Sequence, residues 1–165
     1  MSATQESIRE MTVSNVMQHD VLAVEADWSL EQLTDFLIDN SISGAPVIAA
    51  DNQLVGVVSL TDIVRQNRLP NQGEDREGTH NVYLFDLNRH MDRDELRDLH
   101  VQFETSVQVR DIMTPMIFSV NEDTSVQEVA ETMLKGRIHR VFVTRDNKLH
   151  GIVTALDMLQ VIRDI

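Results

Sequence analysis

The chain has 165 residues, of which 27 are acidic and 14 are basic, and its formal net charge is −13. This length suits one domain or two small modules, and the charge argues against nucleic-acid binding, because contacts with the phosphate backbone depend mainly on Lys and Arg. The sequence contains no cysteine, which excludes disulfides, thiolate metal sites and a cysteine nucleophile.

Neither a membrane span nor a secretory signal is predicted. No apolar run approaches the roughly 20 residues that a membrane-spanning helix needs. The N-terminal residues MSATQESIREM lack a basic region followed by an apolar core. We therefore expect a cytoplasmic protein, which is compatible with the lack of cysteine.

The first predicted element is a turn in VSNVM, residues 13–17, and it begins an internal repeat. VRDIM occurs 96 residues later, and equivalent residues follow at the same spacing: Val24 and Val120, Asp27 and Asp123, Ser29 and Ser125, Ile42 and Ile138, Val47 and Val143. One residue is then lost, and the spacing becomes 95 from Asp51 onwards. We predict an N-terminal segment (residues 1–10), a first repeat (11–66), an insert (67–107) and a second repeat (108–165).

Each repeat predicts the order β-α-β-β-α. The strand-like runs VLAV and IFSV come first. The apolar residues of each first helix recur at helical spacing: Leu30, Leu33, Leu37 and Ile38 in one repeat, and Val126, Val129, Met133 and Leu134 in the other. Ser29 and Ser125 lie in the capping neighbourhood of these helices. Two strands then flank the turn sequences DNQ and DNK, and a second helix begins near Thr61 or Leu156. The fold class is therefore α+β.

One repeat is too small to close a core alone, so we expect the two to pack as a pseudo-twofold pair. The insert is predicted to be partly helical, because Leu96, Leu99 and Phe103 of MDRDELRDLHVQF recur at helical spacing. An apolar strip, VYLFDL, precedes this helix, and we expect a disordered tip near residues 70–79.

The most informative motif is a heptad that occurs twice, as GVVSLTD at residues 56–62 and as GIVTALD at residues 151–157. Its glycine permits close backbone approach at the hairpin. Its hydroxyl, from Ser59 or Thr154, lies at a helix start, where free N–H groups and the helix dipole favour an anion. Its carboxylate, from Asp62 or Asp157, offers acceptors for a ribose diol. The same pattern also caps helices without any ligand, so both interpretations stay open.

The two repeats resemble a tandem pair of CBS domains, also called a Bateman module. The resemblance rests on VSNVM with VLAVEADWSLEQLTDFLIDNSISGAPVIAADNQLVGVVSLTDIV, and on VRDIMTPMIFSVNEDTSVQEVAETMLKGRIHRVFVTRDNKLHGIVTALDML. It implies adenine nucleotides bound in two clefts between the repeats, and a pair that dimerises into a flat disc.

The resemblance also implies roles for individual residues. Asp62 and Asp157 hold ribose, and Ser59, Thr61 and Thr154 approach phosphate. Val57 and Ile152 line the two clefts. The base pockets come largely from the opposite repeat: Thr114, Pro115, Ile117 and Ile138 for the Asp62 cleft, and Gln18, His19, Val21 and Ile42 for the Asp157 cleft.

A possible cation site lies in IHRVFV, which resembles the basic strand start in the gamma subunit of the AMP-activated kinase. There, His139 and Arg140 face phosphates by the same resemblance. The first repeat departs at this position, where it has Ser43 and Gly44. The alternative is a surface pair that forms salt bridges with nearby acidic residues.

Catalysis and metal binding find little support in the sequence. The chain has no nucleophile elbow, P-loop or Gly-rich dinucleotide fingerprint, so we expect neither an enzyme nor a catalytic cofactor. His80, His90 and His100 are ten residues apart, which does not place their side chains on one helix face, so we expect no metal site.

Two functional hypotheses remain from different classes. The first is a regulatory module that binds AMP, ADP or ATP, with S-adenosylmethionine or NAD as weaker candidates, and that acts on an unknown effector protein or its own dimer interface. Under it, Asp62→Ala and Asp157→Ala weaken ligand binding and leave the fold intact. The second is a homodimeric interaction scaffold whose clefts are empty.

Overall fold

The computed structural model describes residues 10–68, 106–115 and 117–163. By backbone contacts the chain divides into two compact units. The central unit contains Leu22–Ile117, and the terminal unit contains Met1–Val21 with Phe118–Ile165. The predicted helix, apolar strip and tip of the insert lie outside the described residues. Within the described ranges, no helix is long and apolar enough to cross a membrane.

The described residues of the central unit form one three-stranded sheet and three helices. Its elements are β1 (Val24–Glu25), α1 (Leu30–Asp39), β2 (Gly44–Ile48), β3 (Leu54–Ser59), α2 (Leu60–Arg68) and α3 (Val109–Ile112). The strand order is β1-β2-β3, with β1 parallel to β2 and β2 antiparallel to β3.

The terminal unit repeats this plan. It contains a 3-10 turn (Val13–Asn15), β4 (Ser119–Asn121), α4 (Val126–Gly136), β5 (Arg140–Arg145), β6 (Lys148–Thr154) and α5 (Ala155–Arg163). Its strand order is β4-β5-β6, with a parallel pair followed by an antiparallel pair. The predicted α+β class and the two-repeat β-α-β-β-α order are confirmed.

The long helix of each unit begins at a serine, as the sequence predicts. Ser29 Oγ accepts the amide of Gln32 at 3.1 Å, and the Gln32 side chain accepts the Ser29 amide at 2.9 Å. Ser125 and Glu128 form the equivalent reciprocal pair in α4. These capping boxes satisfy backbone donors that the first turn of a helix leaves open.

The predicted helix faces supply buried side chains to each unit. Leu33 and Leu37 are fully buried in the core cluster of the central unit, and Val129 is fully buried in the terminal unit. Leu134 differs from the prediction, because it is 78% exposed. It follows Met133, which turns inward, so the apolar stripe of α4 is wider than the surface that α4 buries.

The hairpin turns adopt the backbone that their sequences predict. Asn52, Asp146 and Asn147 have φ angles of 67°, 51° and 62°, in the left-handed region that Asn and Asp tolerate. The first strand of each repeat begins later than predicted, because the paired residues are Val24 with Val47 and Ser119 with Phe142.

The first segments of the two repeats are exchanged between the units. We call residues 12–21 and 108–117 the leading segments. The first contacts the terminal unit, where the Val13 amide donates to Thr124 O at 2.8 Å. The second contacts the central unit, where the Val109 amide donates to Trp28 O at 2.9 Å. Each unit is therefore built from both repeats.

Candidate functional site

In the central unit, the heptad aspartate is buried and binds the start of α2. Asp62 is 6% exposed and Ser59 is 2% exposed. Asp62 Oδ2 accepts the Ser59 amide at 2.8 Å and the Ser59 hydroxyl at 2.9 Å. This carboxylate therefore closes the first turn of α2, as in the capping interpretation of the motif.

The terminal unit has the same arrangement with one addition. Asp157 Oδ2 accepts the Thr154 amide and the Thr154 hydroxyl, both at 2.7 Å. Its other oxygen, Oδ1, accepts the side-chain amide of Gln18 at 2.9 Å. Gln18 belongs to the first repeat and Asp157 to the second, so this bond joins residues that are 139 positions apart.

The two heptad glycines allow a leading segment to lie directly against each sheet. A Cβ atom on Gly56 would be 2.8 Å from Thr114 O and 2.9 Å from Met113 Sδ. A Cβ atom on Gly151 would be 2.7 Å from Met17 Sδ and 2.9 Å from Gln18 O. All four distances are shorter than real Cβ atoms show, so only glycine fits at these two positions without a shift of its neighbours.

Each leading segment then forms a short backbone bridge beside the heptad strand. Thr114 and Val57 exchange two hydrogen bonds of 2.8 and 2.9 Å in the central unit. Gln18 and Ile152 exchange the same pair in the terminal unit. The structure thus places Thr114 beside the strand that carries Ser59, and Gln18 beside the strand that carries Thr154.

The predicted cation pair lies at the start of β5. Arg140 pairs with Thr154 across the hairpin, and the amide of Ala155, the first residue of α5, donates to His139 O at 2.9 Å. Among the described residues, neither side chain forms a salt bridge with a carboxylate. The proposed surface ion pair is therefore not found in the described part of the chain.

The remaining predicted residues differ in their exposure and in the unit to which they belong. Thr61 is half-buried in the first turn of α2. Pro115 and His19 are exposed, whereas Ile117 and Val21 are half-buried. Ile42 belongs to the central unit and Ile138 to the terminal unit, so neither shares a unit with its assigned carboxylate.

No metal centre is visible in the described ranges, since they contain no group of three His, Cys, Asp or Glu residues that could hold an ion. His80, His90 and His100 lie outside these ranges. The terminal unit also has an open cavity of about 480 Å³ that contains none of the predicted site residues. Four of its eight lining residues are acidic: it is lined by Asn121, Glu122, Asp123, Thr124, Glu128, Thr144, Arg145 and Asp146.

The arrangement in each unit combines a helix start, a hydroxyl, a buried carboxylate and a residue of the opposite repeat. Sequence reasoning identified the first three, and the resemblance assigned Thr114 and Gln18 of the opposite repeat to the two clefts. The hydrogen bond between Gln18 and Asp157 was not predicted. One signal could have revealed the close packing: each leading segment carries a methionine, Met17 or Met113, and each heptad carries a glycine at the equivalent position. In each unit the methionine packs closely against the glycine, beside the backbone bridge of the leading segment.

Comparison with known sequences finds the CBS domain pattern twice in this chain, over residues 13–68 and 109–164. An uncharacterised protein of Methanocaldococcus jannaschii is 30% identical over 154 residues, which are 91% of this chain and 90% of that protein.

Solved structures share the fold. The crystal structure of CBSX2 in complex with AMP has a TM-score of 0.62 and 24% identity, and the match covers 93% of this chain and 97% of that one. The CBS domain of a bacterial CNNM/CorC family Mg²⁺ transporter in complex with ATP also has a TM-score of 0.62, with 18% identity and coverages of 97% and 92%.

Proposed function

Because the chain belongs to the CBS domain family, we propose that it is a regulatory module that binds an adenosine-containing nucleotide of the AMP, ADP or ATP class. It relays the bound state to an effector protein or to its own dimer interface. One observation carries this proposal: each unit brings a buried aspartate of one repeat to the same strand end as a leading segment of the other.

The chemistry of the terminal unit suits the two polar parts of a nucleotide. A ribose diol donates hydrogen bonds, and Asp157 is a buried acceptor at the start of α5. A phosphate group accepts hydrogen bonds and carries negative charge, which the α5 start, Thr154, His139 and Arg140 complement. This local positive charge matters because the chain as a whole has a net charge of −13.

In the central unit the same roles fall to Asp62 for ribose and to Ser59 and Thr61 for phosphate. Ser43 and Gly44 occupy the positions that His139 and Arg140 occupy in the second repeat. This unit has no cation at that place, so its site favours a ligand with fewer phosphates or binds the same ligand more weakly. The two sites of the chain are therefore unequal.

Two similar structures support the adenosine class. One is a complex with AMP and the other is a complex with ATP, so the shared part of their ligands is adenosine with phosphate. In this chain the base would contact residues of the leading segments: Gln18, His19 and Val21 in the terminal unit, and Thr114, Pro115 and Ile117 in the central unit. The base contacts expected of Ile42 and Ile138 stay predictions.

The proposed mechanism makes and breaks no covalent bond. A nucleotide that contacts both the heptad and the leading segment favours the conformations in which these two are joined, and its binding energy shifts the population towards them. Each leading segment continues directly into the other unit, after Val21 and after Ile117. A change in its attachment is therefore passed along the chain to the second unit.

Binding is tested by calorimetric titration of the full chain with AMP, ADP, ATP, S-adenosylmethionine and NAD. We expect heat from at least one of the first three. Asp157→Asn keeps the size of the side chain and removes its charge, so it should weaken that ligand about tenfold, as expected for the loss of hydrogen bonds to a charged acceptor.

Asp123→Asn is the matched control, because Asp123 is an exposed residue of the same unit and its substitution changes the charge by the same amount. We expect it to leave affinity unchanged. The absence of heat with all five compounds at about 1 mM would overturn the nucleotide hypothesis. An equal loss of affinity in both variants would show that only the overall charge matters.

The rival function, a homodimeric interaction scaffold, is favoured by a different observation. Helices α4 and α5 contact each other and carry an exposed apolar surface, which we call the α4–α5 face. It consists of Leu134, Leu156, Leu159 and Ile162, with exposed fractions of 78%, 71%, 57% and 66%. A second copy of this chain is the partner that suits it best, since the described part of α5 exposes no acidic side chain.

A further inference from the structure

The bond between Gln18 and Asp157 has a consequence for ligand binding that rests on the proposed function. Asp157 is 7% exposed and accepts three hydrogen bonds: two on Oδ2 from Thr154 and one on Oδ1 from Gln18. The Thr154 bonds belong to the start of α5 and are intrinsic to the fold. The oxygen bonded to Gln18 faces the leading segment, which also carries the proposed base contacts.

The backbone of Gln18 is held in place, whereas its exposed side chain has room to move. Its amide and carbonyl are bonded to Ile152 at 2.8 and 2.9 Å, which holds the backbone beside β6. The residue as a whole is exposed. A displaced side-chain amide can therefore be hydrated by solvent without breaking the backbone bridge.

We propose that Gln18 is an internal competitor for the Asp157 site: its side-chain amide holds the carboxylate oxygen that a ribose hydroxyl must bind. The terminal unit then accepts its nucleotide only when the Gln18 side chain leaves Asp157, and the displaced side chain can then make its proposed contact with the base. Apparent affinity at this site is the intrinsic affinity reduced by the fraction of molecules in which Asp157 Oδ1 is released.

The position equivalent to Gln18 carries no amide in the other leading segment. The equivalent of Gln18 in the second leading segment is Thr114, which bridges Val57 through its backbone and has no side-chain amide. The unit with the cation pair therefore also has the competitor. Gln18 therefore raises the nucleotide concentration needed to fill the Asp157 site, which is also the site with the stronger phosphate-binding features.

The test uses ¹⁵N NMR titration of the full chain, with AMP as the probe. The Thr154 amide reports on the Asp157 site, and the Ser59 amide reports on the Asp62 site, because each donates to its carboxylate. Gln18→Met removes the donor and nearly keeps the side-chain length. We expect AMP to bind about tenfold tighter at the Thr154 reporter, at the lower end for loss of one competing hydrogen bond to a charged group, with no change at the Ser59 reporter.

Two controls separate the amide from the bulk of the side chain. Gln127→Met makes the same substitution at an exposed position of α4 and should change neither affinity. 2′,3′-Dideoxy-AMP has no ribose hydroxyl to donate to Asp157, so Gln18→Met should not improve its binding. An equal improvement for AMP and for the dideoxy compound would overturn the proposal, since steric relief would then explain both.

The remaining outcomes are also decisive. Unchanged or weaker AMP binding at the Thr154 reporter in Gln18→Met overturns the competitor role. Binding at the Ser59 reporter alone, in both the original chain and the variant, overturns it as well and leaves the proposed function standing for the central unit. Absence of AMP binding at both reporters in both chains counts against the proposed function itself.

Discussion

At the residue scale, Asp62 and Asp157 combine a structural role with the proposed binding role. Each carboxylate accepts the backbone amide and the hydroxyl of the residue before a helix. Replacement by alanine would remove this cap and cost about 1 kcal/mol of stability. We therefore expect Asp→Ala to lower stability as well as ligand affinity. Asp→Asn is the better test of the role of the carboxylate in ligand binding.

The close approach at Gly151 gives a prediction at the same scale. A methyl group there meets Gln18 O at 2.9 Å, and this backbone atom is fixed by its bridge to Ile152. We expect Gly151→Ala to lower the free energy of unfolding by about 1–3 kcal/mol, as overpacking does elsewhere. This free energy is measured by urea denaturation monitored by circular dichroism.

Gly136→Ala is the matched control for this change. Its added methyl group meets only the Ile138 side chain, at 3.4 Å, and Gly136 lies in the last turn of α4 with no positive φ. Alanine favours the helix, so stability should stay the same or rise by up to about 1 kcal/mol. Equal effects of the two substitutions would contradict the close-packing explanation.

At the element scale, the exchange of leading segments decides what each unit is made of. Local patterns predict the helices and hairpins well, because helical spacing, serine caps and Asp-Asn turns act over a few residues. The partner of VSNVM and VRDIM is not a local property. Val13 and Val109 are both fully buried, yet the sequence does not say against which repeat.

The exchange predicts the behaviour of fragments. Residues 10–68 alone lack the second leading segment, including Val109 of the central core cluster. We expect this fragment to give a poorly dispersed amide NMR spectrum, because a buried side chain and four backbone hydrogen bonds are missing. Mixing it with residues 106–163 should restore dispersion. The prediction is wrong if residues 10–68 alone unfold cooperatively and give the same amide NMR signals as in the intact chain. The second leading segment would then not be needed to fold the central unit.

At the scale of the whole molecule, charge and apolar surface act in opposite directions. Copies with a net charge of −13 repel each other. The described part of α5 adds no exposed acidic side chain to the α4–α5 face. Lys135 Nζ lies 2.8 Å from Glu131 in α4, and this hydrogen bond and charge lower the pKa of Glu131 and balance its carboxylate. Self-association through this face would cover four exposed apolar side chains.

Dimerisation is tested by sedimentation velocity at several concentrations. We expect the original chain to be a dimer and Leu159→Glu to be a monomer, since the change places a carboxylate in an apolar contact. Its far-UV circular dichroism should not change, because Leu159 is 57% exposed within one chain.

Leu22→Glu is the control for surface charge, because Leu22 is an exposed leucine of the central unit, outside the α4–α5 face. It should remain a dimer. A monomeric original chain, or a dimer that persists in Leu159→Glu, would exclude this face as the interface.

Sequence alone was sufficient for the two repeats, their helices, hairpins and caps, and the heptad that marks each helix start. These features depend on interactions between residues close in the chain, which composition and spacing record directly. Only the tertiary structure decided that the leading segments are exchanged, that Gly56 and Gly151 each face a methionine of the other repeat, and that Gln18 binds Asp157. These contacts join positions up to 139 residues apart, and their geometry follows from how the chain closes each unit, which no local pattern encodes.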